Sequence, residues 1–296
     1  MKQYFEKIEK ALPQYFNNNT KNFPKNGEIP YYLSDSMKYS LCLPGKRLRP
    51  ILVLAGYNLL KDNYEEIMDF ACAVEMIHAY SLIHDDLPAL DNDKLRRGKP
   101  TNHVVYGENI AILAGDALLN LAYEIMLSSE FTKENPHIAL PAIYEVAKRV
   151  GSRGMIAGQV MDVKLEGNTP NLESVQYIHK HKTADLITAS LLLGIKLANG
   201  SDEAINAISI YGEKLGLAFQ MQDDILDLEG EIDLLGKETG MDISRGKLTW
   251  PAVVGLEQSK IDVLDNIQEA IHALECFNQR AEFLKELALN SISRKY

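Results

Sequence analysis

The chain has 296 residues, 46% hydrophobic and 24% charged, a balance that supports a large buried core and excludes a disordered, collagen-like or disulfide-scaffold protein. Its formal net charge of -10 argues against nonspecific nucleic-acid binding, which rewards a basic surface, so any basic cluster needs a local reason. Cys42, Cys72 and Cys276 are far apart and in no CxxC spacing, which argues against a disulfide framework and a zinc site and suits a reducing cytoplasm.

The N-terminal "MKQYFEKIEKALPQYF" alternates charged and apolar residues and lacks the apolar run and cleavage site of a signal peptide. No stretch reaches the roughly 18 consecutive apolar residues expected of a membrane span. Next, "PGKRLRP" sets Lys46, Arg47 and Arg49 just before an apolar helix that begins near Ile51. A glycine loop with cations at a helix N-terminus suits an anion, because free backbone N–H groups and the helix dipole add to the side-chain charge.

Between residues 65 and 84, Ile67, Phe70, Ala71, Val74 and Ile77 recur at helical spacing, predicting a helix with one buried face. It runs into "SLIHDDLPALDNDKLRRGK", where four aspartates precede Lys94, Arg96, Arg97 and Lys99. Asp85 and Asp91 would not align on an unbroken helix, but Pro88 falls between them and should force a bulge that returns Asp91 toward Asp85. The helical period recurs in residues 109–127, 139–161, 172–198 and 202–228, and no alternating strand runs compete with it. Without a long Pro, Gly or Ser linker, one helical domain over residues 1–296 is expected.

The last of these segments carries Asp223, Asp224 and Asp227, with Asp223 and Asp227 one turn apart on a shared face. Carboxylates with waters and substrate phosphates are what Mg²⁺ prefers. An EF-hand loop fails, since Arg96 stands at the glycine position and Asn102 at the glutamate position counted from Asp91. Lys182 and Thr183 in "HKHKTAD", and Lys237 and Lys247 in "GKETGMDISRGKLTWP", add candidate phosphate contacts. That last loop is not a Walker A motif, because five residues separate its glycines and Leu248 replaces the Ser or Thr. His78 lies about two turns before Asp85, and Gln220 nearly shares the face of Asp223. No local signature of a protein nucleophile is present.

These motifs, in order, resemble the trans-isoprenyl diphosphate synthase family, and within it the bacterial farnesyl diphosphate synthases, whose first aspartate motif has the two-residue insertion seen as "DDLPALD". The resemblance covers essentially the whole chain. It implies an all-α bundle of the isoprenoid synthase type around a deep central cavity, as a homodimer. It also implies that Asp85, Asp86, Asp91, Asp223, Asp224 and Asp227 bind Mg²⁺, three ions per active site, with Mn²⁺ also acceptable. On the same resemblance, Arg96, Lys182, Thr183, Gln220, Lys237 and Lys247 contact the allylic diphosphate, and Gly45, Lys46, Arg49, His78 and Arg97 bind isopentenyl diphosphate. Close relatives often carry Asp at Asn92, outside the DDxxxxD positions.

The expected reaction joins isopentenyl diphosphate to dimethylallyl and geranyl diphosphate to give farnesyl diphosphate. Tyr80, with Ser81 beside it, is expected to form the floor that stops the chain at fifteen carbons. The alternatives are a geranylgeranyl or geranyl diphosphate synthase and a noncatalytic subunit of a prenyltransferase complex. A terpene cyclase or squalene-type synthase would not need the extra cationic site in "GKRLR".

Overall fold

The computed structural model describes residues 1–16, 25, 27–229 and 246–292. Lys237 lies outside the described residues. Over the described residues the chain is almost entirely helical, and its contacts divide it into two units. The first comprises Met1–Leu54 and Tyr64–Pro136, the second Ala55–Asn63 and His137–Tyr296.

The first unit is built on α4 (Met68–Asp85), entered through a 3-10 turn at Tyr64–Ile67. Around it lie α1 (Lys2–Ala11), α2 (Tyr31–Leu41), the start of α3 (Leu48–Asn58), α5 (Asn102–Tyr106), α6 (Glu108–Ser128) and α7 (Glu130–Glu134). Where the spacing suggested one buried face, α4 is buried on nearly every side, from Phe70 through Tyr80. It packs along α6 and touches α1 and α2, so polar residues as well as apolar ones are enclosed. Each large apolar side chain sealed in this way stabilises the fold by about 1.5–3 kcal/mol.

α6 is long and apolar enough to cross a membrane, with a mean hydropathy of 1.6 over its best window. Asp116 and Asn120 interrupt its apolar run, and the core helix of a soluble unit passes the same test.

The second unit contains α8 (Pro136–Val150), α9 (Met155–Leu165), α10 (Leu172–Ile178), α11 (Asp185–Leu197), α12 (Asp202–Glu229), α13 (Trp250–Val254), α14 (Leu256–Ala273) and α15 (Glu282–Ile292). α12 packs on α11 and α14. The helical period of residues 139–161 resolves into α8 and α9, separated by a turn that holds Gly151 and Gly154. Between α10 and α11 the residues His179–Ala184 form a π-helical turn, a rare geometry that recurs at functional sites.

One feature of the first unit is not helical. β1 (Leu95–Arg96) and β2 (Lys99–Pro100) pair antiparallel as a minimal hairpin. Its turn residues Arg97 and Gly98 both have positive φ, 53° and 72°, the sign pattern a type I′ turn requires.

Candidate functional site

α4 delivers Asp85 at its last turn, and the chain then folds back on itself. Leu90 N–H donates to the Leu87 carbonyl and Asp91 N–H to the Asp85 carbonyl, both at 2.9 Å. The bulge expected from Pro88 is therefore present, and the backbone of Asp91 does return to Asp85. Asn92 adopts φ 53°, a left-handed conformation that Asn tolerates better than most residues, so this departure from Asp suits the loop.

Asp85 and Asp91 are half-buried, whereas Asp86 is only 3% exposed and turned onto a protein partner. Arg96 donates from Nε to both Asp86 oxygens, at 2.9 and 2.8 Å, and from Nη2 to Oδ1 at 2.6 Å. Burial pushes the Asp86 carboxyl up, and the Arg96 hydrogen bonds oppose that shift. The hairpin explains the geometry, because Arg96 ends β1 and is aimed back along the loop it closes.

A pocket in this unit is lined by His78, Arg47, Arg96 and Arg97 and by the carboxylates Glu75 and Asp86, beside apolar Leu41, Leu82 and Ile83. The Arg97 guanidinium lies over Gly45, 2.2 Å from where a Cβ would stand, so any larger residue there would push it aside. Arg47 is buried and held by Glu9 at 2.5 Å and Glu75 at 2.8 Å, with φ 48°. That left-handed residue sits between Lys46, which is exposed, and Arg49, which is half-buried. Arg49 Nη1 lies 3.2 Å from His78 Nε2. Burial, then the charges of Arg49, Arg97 and Arg96, hold the His78 pKa well below the usual imidazole range, so its neutral ring accepts from Arg49. Arg96, expected with the allylic group, thus shares a pocket with His78 and Arg97 of the isopentenyl group.

In the second unit, a pocket is lined by Asp162, His179, Lys182, Thr183, Gln220, Asp224 and Lys247. Four residues expected on the allylic diphosphate therefore meet there. Thr183 Oγ1 donates to Gln220 Oε1 at 2.6 Å, and Gln220 Nε2 donates to Asp224 Oδ1 at 3.1 Å. Asp224 Oδ2 accepts the Trp250 N–H at 2.7 Å and lies 3.2 Å from His179 Nε2. The His179 ring lies over that of Trp250, with centroids 5.8 Å apart and 29° between planes. Asp224 is 3% exposed and fully engaged by these partners, while Asp223 and Asp227 remain half-buried on the neighbouring face of α12. Gln220 is committed to Asp224, one turn ahead of it, rather than to the face of Asp223.

Tyr80 is 6% exposed on α4, with its ring edge-on to His84 at 5.8 Å. Ser81 donates to the His78 carbonyl at 2.9 Å. Burial first, then Tyr123 and Asp85, pushes the Tyr80 phenol well above its usual value, so it stays neutral.

Among the described residues, no group of three or more His, Cys, Asp or Glu side chains converges as a metal cage. Asp85 and Asp91 on the loop 85–91, and Asp223 and Asp227 at one-turn spacing on α12, are half-buried and supply hard carboxylate oxygens. Such pairs fit Mg²⁺, which takes one or two carboxylates and leaves positions for water and phosphate. Asp86 and Asp224, expected beside them as ligands, have their oxygens in contact with Arg96 and with Trp250, His179 and Gln220, respectively.

Asp162 and His179, which line the pocket of the second unit, and Gln159, one turn before Asp162, are not singled out by the sequence. Asp162 and Gln159 lie on α9, where polar residues inside an otherwise apolar helix were the available signal. His179 was hidden in a basic run.

Two acidic helix ends, each accompanied by cations on a scaffold whose regular structure among the described residues is helical but for one short hairpin, define an isoprenoid-synthase type of protein. The profile of the family described as polyprenyl synthetase matches residues 30–286, and the chain belongs to that family. It is 45% identical over 252 residues to the chloroplastic geranylgeranyl pyrophosphate synthase of Capsicum annuum, covering 85% of this chain and 68% of that protein. It is 47% identical over 235 residues to the heterodimeric geranylgeranyl pyrophosphate synthase large subunit 1 of Arabidopsis thaliana, covering 78% of this chain and 63% of that protein. Thus the chain spans about two thirds of the length of these curated relatives. An FPP/GFPP synthase from Zymomonas mobilis superposes with a TM-score of 0.83 at 32% identity, covering 98% of each chain. A geranyltransferase from Helicobacter pylori complexed with magnesium and isoprenyl diphosphate superposes at 0.80 with 32% identity, covering 98% of this chain and 95% of that one.

Proposed function

We propose that this protein is a short-chain trans-prenyltransferase that joins isopentenyl diphosphate to an allylic diphosphate. The observation that carries the reading is the clustering of Lys182, Thr183, Gln220 and Lys247 around one pocket, with half-buried Asp223 and Asp227 on the same helix as Gln220. In the first unit, the pocket that holds Arg96 and Arg97 beside His78 supports a second diphosphate-binding region. Match of one family profile to residues 30–286, which spans both units, supports a single catalytic domain.

In the proposed reaction the allylic C–O bond breaks and its electron pair leaves with the diphosphate. The alkene of isopentenyl diphosphate bonds to the allylic carbon, and the proton lost from the adduct passes to the released diphosphate. Lys182, Thr183, Lys237 and Lys247 hold the departing group, an electrostatic contribution of about 2.7–4 kcal/mol for one well-placed donor in a dry site. Lys46, Arg49 and Arg97 orient the isopentenyl diphosphate, with neutral His78 fixing the Arg49 fork. Asp85 and Asp91, with Asp223 and Asp227, would hold Mg²⁺, and Asp86 and Asp224 keep the flanking cations and loop in place. Bound there, Mg²⁺ supplies charge neutralisation to the diphosphate.

For the product, the curated relatives support geranylgeranyl diphosphate over the farnesyl diphosphate expected from the sequence. Farnesyl diphosphate stands as the second reading, favoured by buried Tyr80 five residues before Asp85. A second copy is the proposed partner, supported by the exposed Ile156, Val160 and Val163 along one face of α9. The free thiols of all three cysteines support a reducing compartment such as the cytoplasm.

The test is product analysis after incubating purified protein with labelled isopentenyl diphosphate, Mg²⁺ and dimethylallyl, geranyl or farnesyl diphosphate, with a chelator control. A metal-dependent twenty-carbon product from all three primers supports the main reading. A product that stops at fifteen carbons, with farnesyl diphosphate refused as primer, selects the second, and no product with any primer overturns both.

A further inference from the structure

α9 lies directly against the π-helical turn that carries Lys182. A Cβ on Gly158 would sit 2.2 Å from the Lys182 backbone nitrogen, so only a glycine allows this approach. One turn further along α9, Asp162 extends toward the same residue. Its Oδ2 lies 2.5 Å from Lys182 Nζ. Asp162 is 9% exposed, and both side chains line the pocket that also holds Thr183, Gln220 and Lys247. Gln159, three residues before Asp162 and on the same face, has both carboxamide atoms buried with no partner among the described residues. Buried amides are normally bonded, so this unsatisfied amide beside Asp162 adds to the polar character of a buried face of α9.

A carboxylate on an anion-binding lysine presents a physical conflict. It competes for the ammonium that the diphosphate needs. Lysine is also a point charge on a flexible stem that carries about 2 kcal/mol of rotamer entropy, all of it lost if the ligand must fix the side chain. A carboxylate buried beside the π turn removes that disorder before the ligand arrives. The pairing is mutual, because without Lys182 the carboxylate would be left as an uncompensated buried charge.

We propose that Asp162 is a positioning residue of the diphosphate pocket, holding the Lys182 ammonium at its working place in the free protein and sharing it with the diphosphate once bound. This rests on the prenyltransferase reading. Asp162 touches neither substrate nor reacting atoms and acts only through Lys182. It therefore affects the departure of the allylic diphosphate and leaves the isopentenyl diphosphate untouched.

The experiment is a double-mutant cycle of Asp162→Asn and Lys182→Ala, read by steady-state kinetics and by calorimetric binding of inorganic pyrophosphate with Mg²⁺. Asp162→Asn keeps the shape and removes the charge. It is expected to lower kcat about tenfold or more, the scale of losses from misplaced groups. KM for the allylic diphosphate falls or stays within about twofold, because the competing carboxylate is gone, and KM for isopentenyl diphosphate is unchanged. Pyrophosphate binds more tightly to Asp162→Asn than to the unaltered protein. In the Lys182→Ala background, Asp162→Asn adds no further loss.

Independent, multiplying losses, or an equal rise in both KM values, would overturn the proposal. So would pyrophosphate affinity that ignores Asp162. If the unaltered protein makes no prenyl product yet pyrophosphate binding shows the coupling, the functional reading fails and the Asp162–Lys182 link stands. Should Asp162→Asn not fold, Asp162→Glu retains the charge on a longer arm and must still lower kcat without moving KM for isopentenyl diphosphate; an unchanged kcat overturns the proposal.

Discussion

Asp86 and Arg96 are locked together by hydrogen bonds of 2.9, 2.8 and 2.6 Å, joining the end of α4 to the hairpin ten residues on. We propose that the pair divides the first aspartate motif by task. Asp85 and Asp91 remain half-buried at the loop surface, and Asp86 anchors the segment that carries Arg97 and Lys99. Removing one member of a buried pair leaves an uncompensated charge and costs about 3–5 kcal/mol. Asp86→Asn is therefore expected to lower the urea midpoint by that order of free energy, while Asp85→Asn leaves stability near that of the unaltered protein and abolishes metal-dependent turnover. Equal destabilisation by both changes would refute the division.

Gly45 makes a second prediction. Its missing Cβ is the space in which the Arg97 guanidinium lies, 2.2 Å from where the carbon would be. Gly45→Ala should displace Arg97 and raise KM for isopentenyl diphosphate about tenfold, with KM for the allylic substrate nearly unchanged, a loss equivalent to about 1.4 kcal/mol of binding. A parallel rise in both constants would show that the glycine serves the fold as a whole.

Much of this arrangement was legible in the sequence, because charge and spacing are local properties. The pairing of Asp223 with Asp227, the return of Asp91 past Pro88 and the cationic loop before α3 all follow from helical period and proline chemistry. What each aspartate binds was not legible. Asp224 and Asp227 look alike along the chain, and the difference lies in Trp250, whose N–H reaches Asp224 from 26 positions away. The hairpin at residues 95–100 is too short to show alternation, and the π turn leaves no periodic trace beyond one residue of slippage. Buried Asp162 could be found only once α9 was seen against Lys182.

Tyr80 yields a third prediction. Its ring is buried on α4 beside His84, five residues before Asp85. If the ring is the floor of the chain's cavity, Tyr80→Ala makes a product at least one five-carbon unit longer than the unaltered protein does. Tyr80→Leu, which keeps more of the packing, lengthens it less. Truncating a large buried ring costs about 3–5 kcal/mol, so thermal melts must accompany the product analysis. An unchanged product from two folded variants would make Tyr80 a packing residue only.

His78 gives the pH dependence. Burial and the neighbouring arginines hold its pKa below the ordinary value, and its neutral Nε2 accepts from Arg49. Just below the unfolded value of about 6.5, the unfolded chain binds more protons than the folded one, so stability rises with pH through that window. Lowering the pH from about 7.5 to about 5.5 should reduce the urea midpoint, and His78→Gln should flatten that decline. A decline of the same steepness in His78→Gln would assign the acid sensitivity to other groups.

The second aspartate motif supplies the final prediction. Asp224 accepts from Trp250 N–H and Gln220 Nε2 and faces His179, so all of its strong positions are used within the protein. Asp224→Asn replaces one acceptor oxygen with an NH₂ group. With the NH₂ in place of Oδ2 it faces the Trp250 N–H, a donor against a donor; in place of Oδ1 it requires Gln220 to turn over and the Thr183 hydroxyl to reverse its role. The cost of such a buried mismatch is about 1–3 kcal/mol, read as a lower urea midpoint. Because the Asp224 oxygens are already held by these partners, the Mg²⁺ concentration giving half-maximal turnover should stay within about twofold of the unaltered protein's, a shift of less than 0.5 kcal/mol. Asp223→Asn should do the reverse, raising the Mg²⁺ requirement with little change in the midpoint. If Asp224→Asn raised the Mg²⁺ requirement as much as Asp223→Asn, Asp224 would have to be counted among the metal ligands despite its partners.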